Sequence, residues 1–227
     1  FSILAITMKA SEIISEVIPP LVHTDSGEKA LLWMDEFQVN HLPMLKNGNF
    51  VGVLSESELL DQVDLDPTLD ALFQHLPRPF VFADAHLFDI LKHFSLFKLT
   101  ALPVLDRQEQ YLGVISSQDL LQLLAQSTGV KEIGSVLVLE MDANNYALSQ
   151  IAQIVESNQA KILNLFVNSE PDSTKIQVSL KINQQNLSSI IRTFERYDYH
   201  VLVSYEDSQQ PSELQDRYQE LMHYLSM

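Results

Sequence analysis

The chain has 227 residues, no cysteine, and 30 acidic against 14 basic side chains, for a formal charge of −16. The missing thiols exclude disulfides, thiolate metal sites and a cysteine nucleophile, and the negative field disfavours nucleic acid and highly phosphorylated ligands. The length and apolar content predict two or three compact units. With no apolar run near the ~20 residues of a membrane span, a cytoplasmic, membrane-free location is expected.

The first seven residues, FSILAIT, lack the basic start and the length of a signal peptide, and Met8 reads as a natural start. Pro20-Leu21-Val22-His23-Thr24-Asp25 then predicts a short strand whose Asp caps a helix carrying Ala30, Leu31, Met34 and Phe37 at helical spacing. His41-Leu42-Pro43-Met44-Leu45 is a strand, and Lys46-Asn47-Gly48-Asn49 is a hairpin signal, because Asn-Gly suits the left-handed conformations of a tight turn. A strand through Phe50–Leu54 leads to Ser55-x-x-Glu58, the signature of a capping box opening a further helix.

The same phrases then return in order. Pro79-Phe80-Val81-Phe82-Ala83-Asp84 repeats Pro20–Asp25, Ala101-Leu102-Pro103-Val104-Leu105 repeats His41–Leu45, and Gly113-Val114-Ile115-Ser116 with Asp119 repeats Gly52–Ser55 with Glu58. Between the second pair of phrases falls a helix with Leu87, Ile90, Leu91 and Phe94 on one face. Three recurrences at nearly constant offset describe one supersecondary unit built twice, over residues 8–66 and 67–126.

These residues carry a family resemblance. Two units of about sixty residues, each ending strand-Pro-strand-Gly-x-x-Ser-x-x-acid-helix, resemble a pair of CBS domains, the arrangement called a Bateman module. The resemblance implies a cleft for an adenine-containing ligand such as AMP or ATP. Ser116 would lie near a phosphate and Asp119 would accept hydrogen bonds from ribose hydroxyls, while Phe82, Ala83, Thr100, Ala101 and Pro103 would enclose the base. The first copy departs from the pattern. Glu58 stands where Asp is expected, so Ser55 and Glu58 read as a cap, with His23, His41 and Pro43 beside a weaker cleft. Phe82 also reads as a core aromatic, and either histidine as a solvated strand-end residue. Phosphate binders recruit Lys or Arg; Arg78, Lys98 and Arg107 lie near the second copy but outside its matching phrase, which favours a monophosphate or an uncharged adenosine moiety over a triphosphate. The acids are too scattered to suggest a metal site.

Residues 127–134 read as a linker. From Ser135 a strand, a helix with Leu148, Ile151, Ile154 and Val155, two strands, a helix with Leu187, Ile190, Ile191 and Phe194, and a last strand follow. This βαββαβ order over residues 135–207 predicts an antiparallel sheet with both helices on one face, an α+β (ferredoxin-like) layer, and it resembles an ACT domain. Amino-acid-binding ACT domains place a glycine after the first strand; here Asp142 is followed by Asn144, Asn145 and Tyr146, so a dimerisation role is the expectation. Residues 208–227 carry Leu214, Tyr218, Leu221, Met222 and Leu225 at helical spacing, an amphipathic helix expected to dock on its own chain or on an identical partner.

No phosphate-cradling glycine loop, HExxH or GxSxG appears in the sequence. The expectation is a non-enzymatic regulatory protein, a CBS pair joined to an ACT-like domain as in bacterial acetoin-utilisation B-type proteins. The rival expectation is a homodimeric interaction protein with vestigial clefts.

Overall fold

The computed structural model describes residues 8–61, 69, 76–127, 129 and 131–205; residues 1–7 and the helix expected over 208–227 lie outside them. The chain has a mixed α/β fold and divides into two compact units at Leu124/Ala125.

In the first unit each repeat gives a three-stranded sheet and two helices. The first repeat has β1 (Leu21–Val22), α1 (Gly27–Glu36), β2 (His41–Lys46), β3 (Asn49–Ser55) and α2 (Glu56–Leu60). The second has β4 (Val81–Phe82), α3 (Leu87–Phe97), β5 (Ala101–Leu105), β6 (Tyr111–Ser116) and α4 (Ser117–Ser127). The sheet orders are β1-β2-β3 and β4-β5-β6, with the first pair parallel and the second antiparallel in each. Even the irregularity repeats: the register shifts between Met44 and Leu45, and between Val104 and Leu105.

The recurring proline has a geometric reason. Pro43 faces Val53 and Pro103 faces Val114, but the N–H of Val53 donates to Pro77 and that of Val114 to Ser15. These ladder positions are therefore not hydrogen-bonded pairs, and the proline nitrogens point away from β3 and β6. On that side β1 and β4 are only two residues long and begin pairing at Met44 and Val104, so the absent N–H removes no ladder bond.

The recurring glycine has another. The segment leading into each repeat crosses to the sheet edge of the other: Ser15 N donates to Val114 O at 2.7 Å, and Val53 N donates to Pro77 O at 2.9 Å. A Cβ on Gly113 would meet Ile14 Cγ2 at 2.5 Å and Ser15 O at 3.0 Å; one on Gly52 would meet Leu76 Cβ at 2.6 Å and Pro77 O at 2.9 Å. Only a residue without a side chain lets the crossing segment lie this close. The crossing also mixes the cores. Phe50 and Val53 of the first repeat pack with Val81, Ile90, Phe94 and Leu102 of the second, while Ala101 and Val114 pack with Leu21, Ala30, Met34 and Leu54.

The helix starts differ from the sequence expectation in one detail. Asp25 and Asp84 do not cap: Ser26 caps α1 by accepting from Lys29 N, and His86 caps α3 by accepting from Phe88 N. Asp25 instead accepts from Val22 N at 2.9 Å and binds Lys29 Nζ at 2.6 Å, tying the end of β1 to α1.

The second unit contains β7 (Ser135–Asp142), α5 (Leu148–Ser157), β8 (Ile162–Ser169), β9 (Lys175–Ile182), α6 (Ser188–Arg196) and β10 (His200–Tyr205). All pairs are antiparallel in the order β10-β7-β9-β8, the ferredoxin-like arrangement. Alternate residues Leu137, Leu139 and Met141 of β7 and Ile176, Val178, Leu180 and Ile182 of β9 share one core with Ile151, Ile154, Val155, Ile190 and Phe194. Both helices therefore cover one face of the sheet. Among the described residues no helix is long and apolar enough to cross a membrane.

Candidate functional site

The N-termini of α2 and α4 carry the repeated Ser-x-x-acid phrase. At α2, Glu58 Oε2 accepts from Ser55 N at 2.8 Å and Ser55 Oγ at 2.7 Å, and Ser55 Oγ accepts from Glu58 N at 3.2 Å. At α4 the shorter acid does the same: Asp119 Oδ2 accepts from Ser116 Oγ at 2.6 Å and from Ser116 N at 3.2 Å, and Ser116 Oγ accepts from Asp119 N at 3.0 Å. Both copies are thus reciprocal caps, and the missing methylene appears as a longer reach to the amide. Asp119 is half-buried, and its Oδ1 has no hydrogen-bond partner among the described residues. Its position at the start of an eleven-residue helix places it among N–H groups without intrahelical acceptors.

The two turns preceding the proline strands meet between these helices. Thr100 Oγ1 accepts from Asn40 N at 2.8 Å and lies 3.0 Å from His41 Nδ1, and Thr100 N donates to the same Nδ1 at 3.3 Å. The carbonyls of Asn40 and Thr100 accept from Glu56 N and Ser117 N, each at 2.9 Å, so each turn is fastened to the helix beside it. Burial lowers the His41 pKa, and the nearby Glu58 carboxylate partly opposes this. Nδ1 faces a backbone donor, which requires its lone pair; the ring is therefore neutral with its proton on Nε2.

The predicted site residues divide between two regions. Ala101 faces Ser116 across the β5–β6 ladder, as His41 faces Ser55 across β2–β3; with Thr100, Asp119 and Glu58 these form one group around the paired helix ends. Pro43 and Pro103 are buried in the sheets. Phe82 is elsewhere: it pairs with Leu105 at the far end of β5 from Ala101, ~13 Å along the strand from the Ser116 position at ~3.3 Å per residue. Ala83 is bonded there too, donating to Leu105 O and accepting from Ser11 N, both at 2.9 Å. His23 follows β1, half-buried. The wall beside Ser116 comes instead from the crossing segment, whose Ser15 pairs with Val114 and whose Val17 is 73% exposed. No local pattern marks this segment; the glycine opposite it is the one sequence signal.

Arg78 and Arg107 border a separate cleft with Phe82, taken up below. In the second unit Asp142 ends β7, and Ala143–Asn145 form a 3-10 turn in which no residue takes the left-handed conformation. The tolerance of Asn for positive φ is therefore not used. A cavity of about 610 Å³ opens beside this turn, but its Lys175 is bound to Glu140 at 2.8 Å, which holds the Glu140 carboxyl below its usual range and raises the Lys175 pKa. No group of His, Asp and Glu suited to a metal occurs among the described residues.

Residues 75–126, the second repeat, match the family model of the CBS domain. The match lies within the second repeat and covers less than half of the chain. The chain is similar to a CBS domain pair/ACT domain protein from Thermotoga maritima, 27% identical, over 52% of this chain and 98% of that one, with a TM-score of 0.47. It is also similar to CBSX2 in its complex with AMP, 17% identical, over 52% of this chain and 96% of that one, with a TM-score of 0.43. An uncharacterized protein of Methanocaldococcus jannaschii is 18% identical over 131 residues, 58% of this chain. The chain spans 49% of the length of that relative.

Proposed function

We propose that the first unit is a non-enzymatic regulatory module whose paired repeats bind an adenine-containing ligand at the start of α4. One observation carries this reading: the half-buried Asp119 commits Oδ2 to its cap, while Oδ1 has no partner among the described residues, so a carboxylate oxygen remains to accept from vicinal ribose hydroxyls. The dipole at the N-terminus of the helix favours a phosphate nearby. The acidic chain opposes a long phosphate tail, which points to adenosine or a monophosphate. In the counterpart, Glu58 holds the cap amide more closely, at 2.8 Å against 3.2 Å, so occupancy of the Asp119 side is expected first.

A ligand there touches elements from both repeats, since Ser15 and Val17 belong to one and Asp119 to the other. It changes the protein only through its different affinity for two arrangements of the repeats. Helix α4 continues from Asp119 to Ser127, past the division at Leu124, and provides a covalent route to the ACT-like unit.

Calorimetric titration with AMP, ATP, adenosine and S-adenosylmethionine tests the assignment. At least one should bind below about millimolar; Asp119→Ala should weaken it by about tenfold or more, the loss of a charged hydrogen-bond acceptor, and Glu58→Gln should not. Absence of binding by all four, or equal binding by Asp119→Ala, would reject it.

A second reading, a homodimeric interaction protein, is favoured by exposed apolar side chains on the first unit's helices. Phe88 and Leu96 of α3 and Leu121 of α4 are 74%, 67% and 67% exposed. Analytical ultracentrifugation of the wild type and of Leu96→Glu decides it: a dimer should become monomeric.

A further inference from the structure

We propose that the cleft between β4 and α3 is a second ligand site, shaped for a planar aromatic ring bearing a small anionic group. Its volume of about 610 Å³ suits a small molecule. Phe80 and Phe82 meet edge to face at 5.4 Å, and Phe97, stacked with His93 at 6.0 Å, adds a third ring from the end of α3. Apolar ring surface lining an open cleft favours a flat ligand.

Two cations bracket the rings. Arg107 Cζ lies 4.6 Å from the Phe82 centroid and Arg78 Cζ lies 5.4 Å from that of Phe80. Each guanidinium is steadied by its ring and gives one nitrogen to an acid, Arg107 to Asp84 and Arg78 to Glu109. These four side chains are between 43% and 65% exposed. Ion pairs so open to water are weak, and a guanidinium has five N–H donors, so an incoming carboxylate or phosphate can add to these pairs or replace them.

Charge then limits the ligand. Lys9, Arg78 and Arg107 are offset by Asp84, Asp89 and Glu109, leaving a locally neutral patch in a chain of charge −16. Such a patch tolerates one small anionic group, not a polyphosphate. The site is distinct from the Asp119 region by the register distance along β5 and does not depend on the function proposed there.

Two-dimensional amide NMR of the full chain, titrated with phenyl phosphate, benzoate and inorganic phosphate, tests the proposal. Phenyl phosphate or benzoate should shift amides of residues 80–89 and 107 with a Kd at or below a few millimolar, and inorganic phosphate should bind about tenfold more weakly. Arg107→Gln and Arg78→Gln should each weaken the aromatic anion by about tenfold, whereas Asp119→Ala should leave it unchanged; the spectra themselves report whether each variant is folded. No shifts at these residues, equal affinity for inorganic phosphate, or undiminished binding by the folded double arginine variant would overturn it.

Discussion

Gly113→Ala is expected to destabilise the first unit by about 2–4 kcal/mol, combining overpacking with backbone strain. The added Cβ would lie 2.5 Å from Ile14 Cγ2 and 3.0 Å from Ser15 O, and Gly113 has φ +147°. Ile14 can rotate away, but Ser15 O belongs to a backbone held at 2.7 Å and 3.3 Å through reciprocal bonds with Val114. Relief therefore requires the crossing segment to lift from β6, opening the wall next to Ser116. Gly48→Ala is the control: it too has positive φ, +81°, but nothing lies within 4 Å of its added Cβ, so it should cost only about 1–2 kcal/mol. Thermal unfolding of the two variants checks this, with a difference of several degrees expected for a unit of this size. Equal midpoints would mean that the close approach carries no weight. A larger loss of adenosine-ligand affinity in Gly113→Ala than in Gly48→Ala would tie the crossing segment to the site.

What could be read from the sequence was local, or was repeated. The Asn47-Gly48 turn, the Ser-x-x-acid caps and the alternation of β7 and β9 each depend on neighbours a few residues away, and two copies of a phrase reinforce the reading of each. Asp25 and Ser26 show the limit of this: either can cap α1, and β1 decides by giving Asp25 the N–H of Val22. Phe82 stands apart from the residues around Asp119 because the β4–β5 register sets it beside Leu105, and that register leaves no mark in a two-residue strand. The crossing segments were illegible for a similar reason. Their hydrogen bonds join Ser15 to Val114 and Val53 to Pro77, and Gly113 and Gly52 register only that something comes close. The asymmetry between Asp119 and Glu58 was legible as one methylene and both copies read as caps, whereas how far Asp119 reaches toward the Ser116 amide depends on the backbone at the start of α4.

His41→Ala is expected to cost the first unit about 1–3 kcal/mol near neutral pH, the penalty for leaving a half-buried donor unsatisfied. The donor is Thr100 N, which finds its acceptor 59 residues away in the His41 ring; the Thr100 hydroxyl, already accepting from Asn40 N, directs its hydrogen to the same Nδ1. A protonated ring would present a third donor to two donors. The charged groups given by the elements around it are Glu58 of α2, which favours the cation, and Glu56, which is engaged by the Asn40 side chain at 2.6 Å; from the second repeat the contact is the uncharged Thr100. Burial outweighs Glu58, and the folded-state pKa lies below the ordinary 6.5. The unfolded chain then takes up the proton first as pH falls, so this contribution is complete above 6.5 and is lost as pH descends through the lowered folded value. Urea unfolding at pH 7.5, 6.5 and 5.5 should therefore show the wild type losing stability relative to His41→Asn, whose amide oxygen offers an acceptor that does not titrate. Parallel pH profiles would remove His41 from the account, since every carboxylate of the unit is common to both proteins. A difference confined to acid pH would identify the His41–Thr100 contact as a fastening between the repeats that loosens on protonation, at the place where a ligand beside Asp119 must act on both.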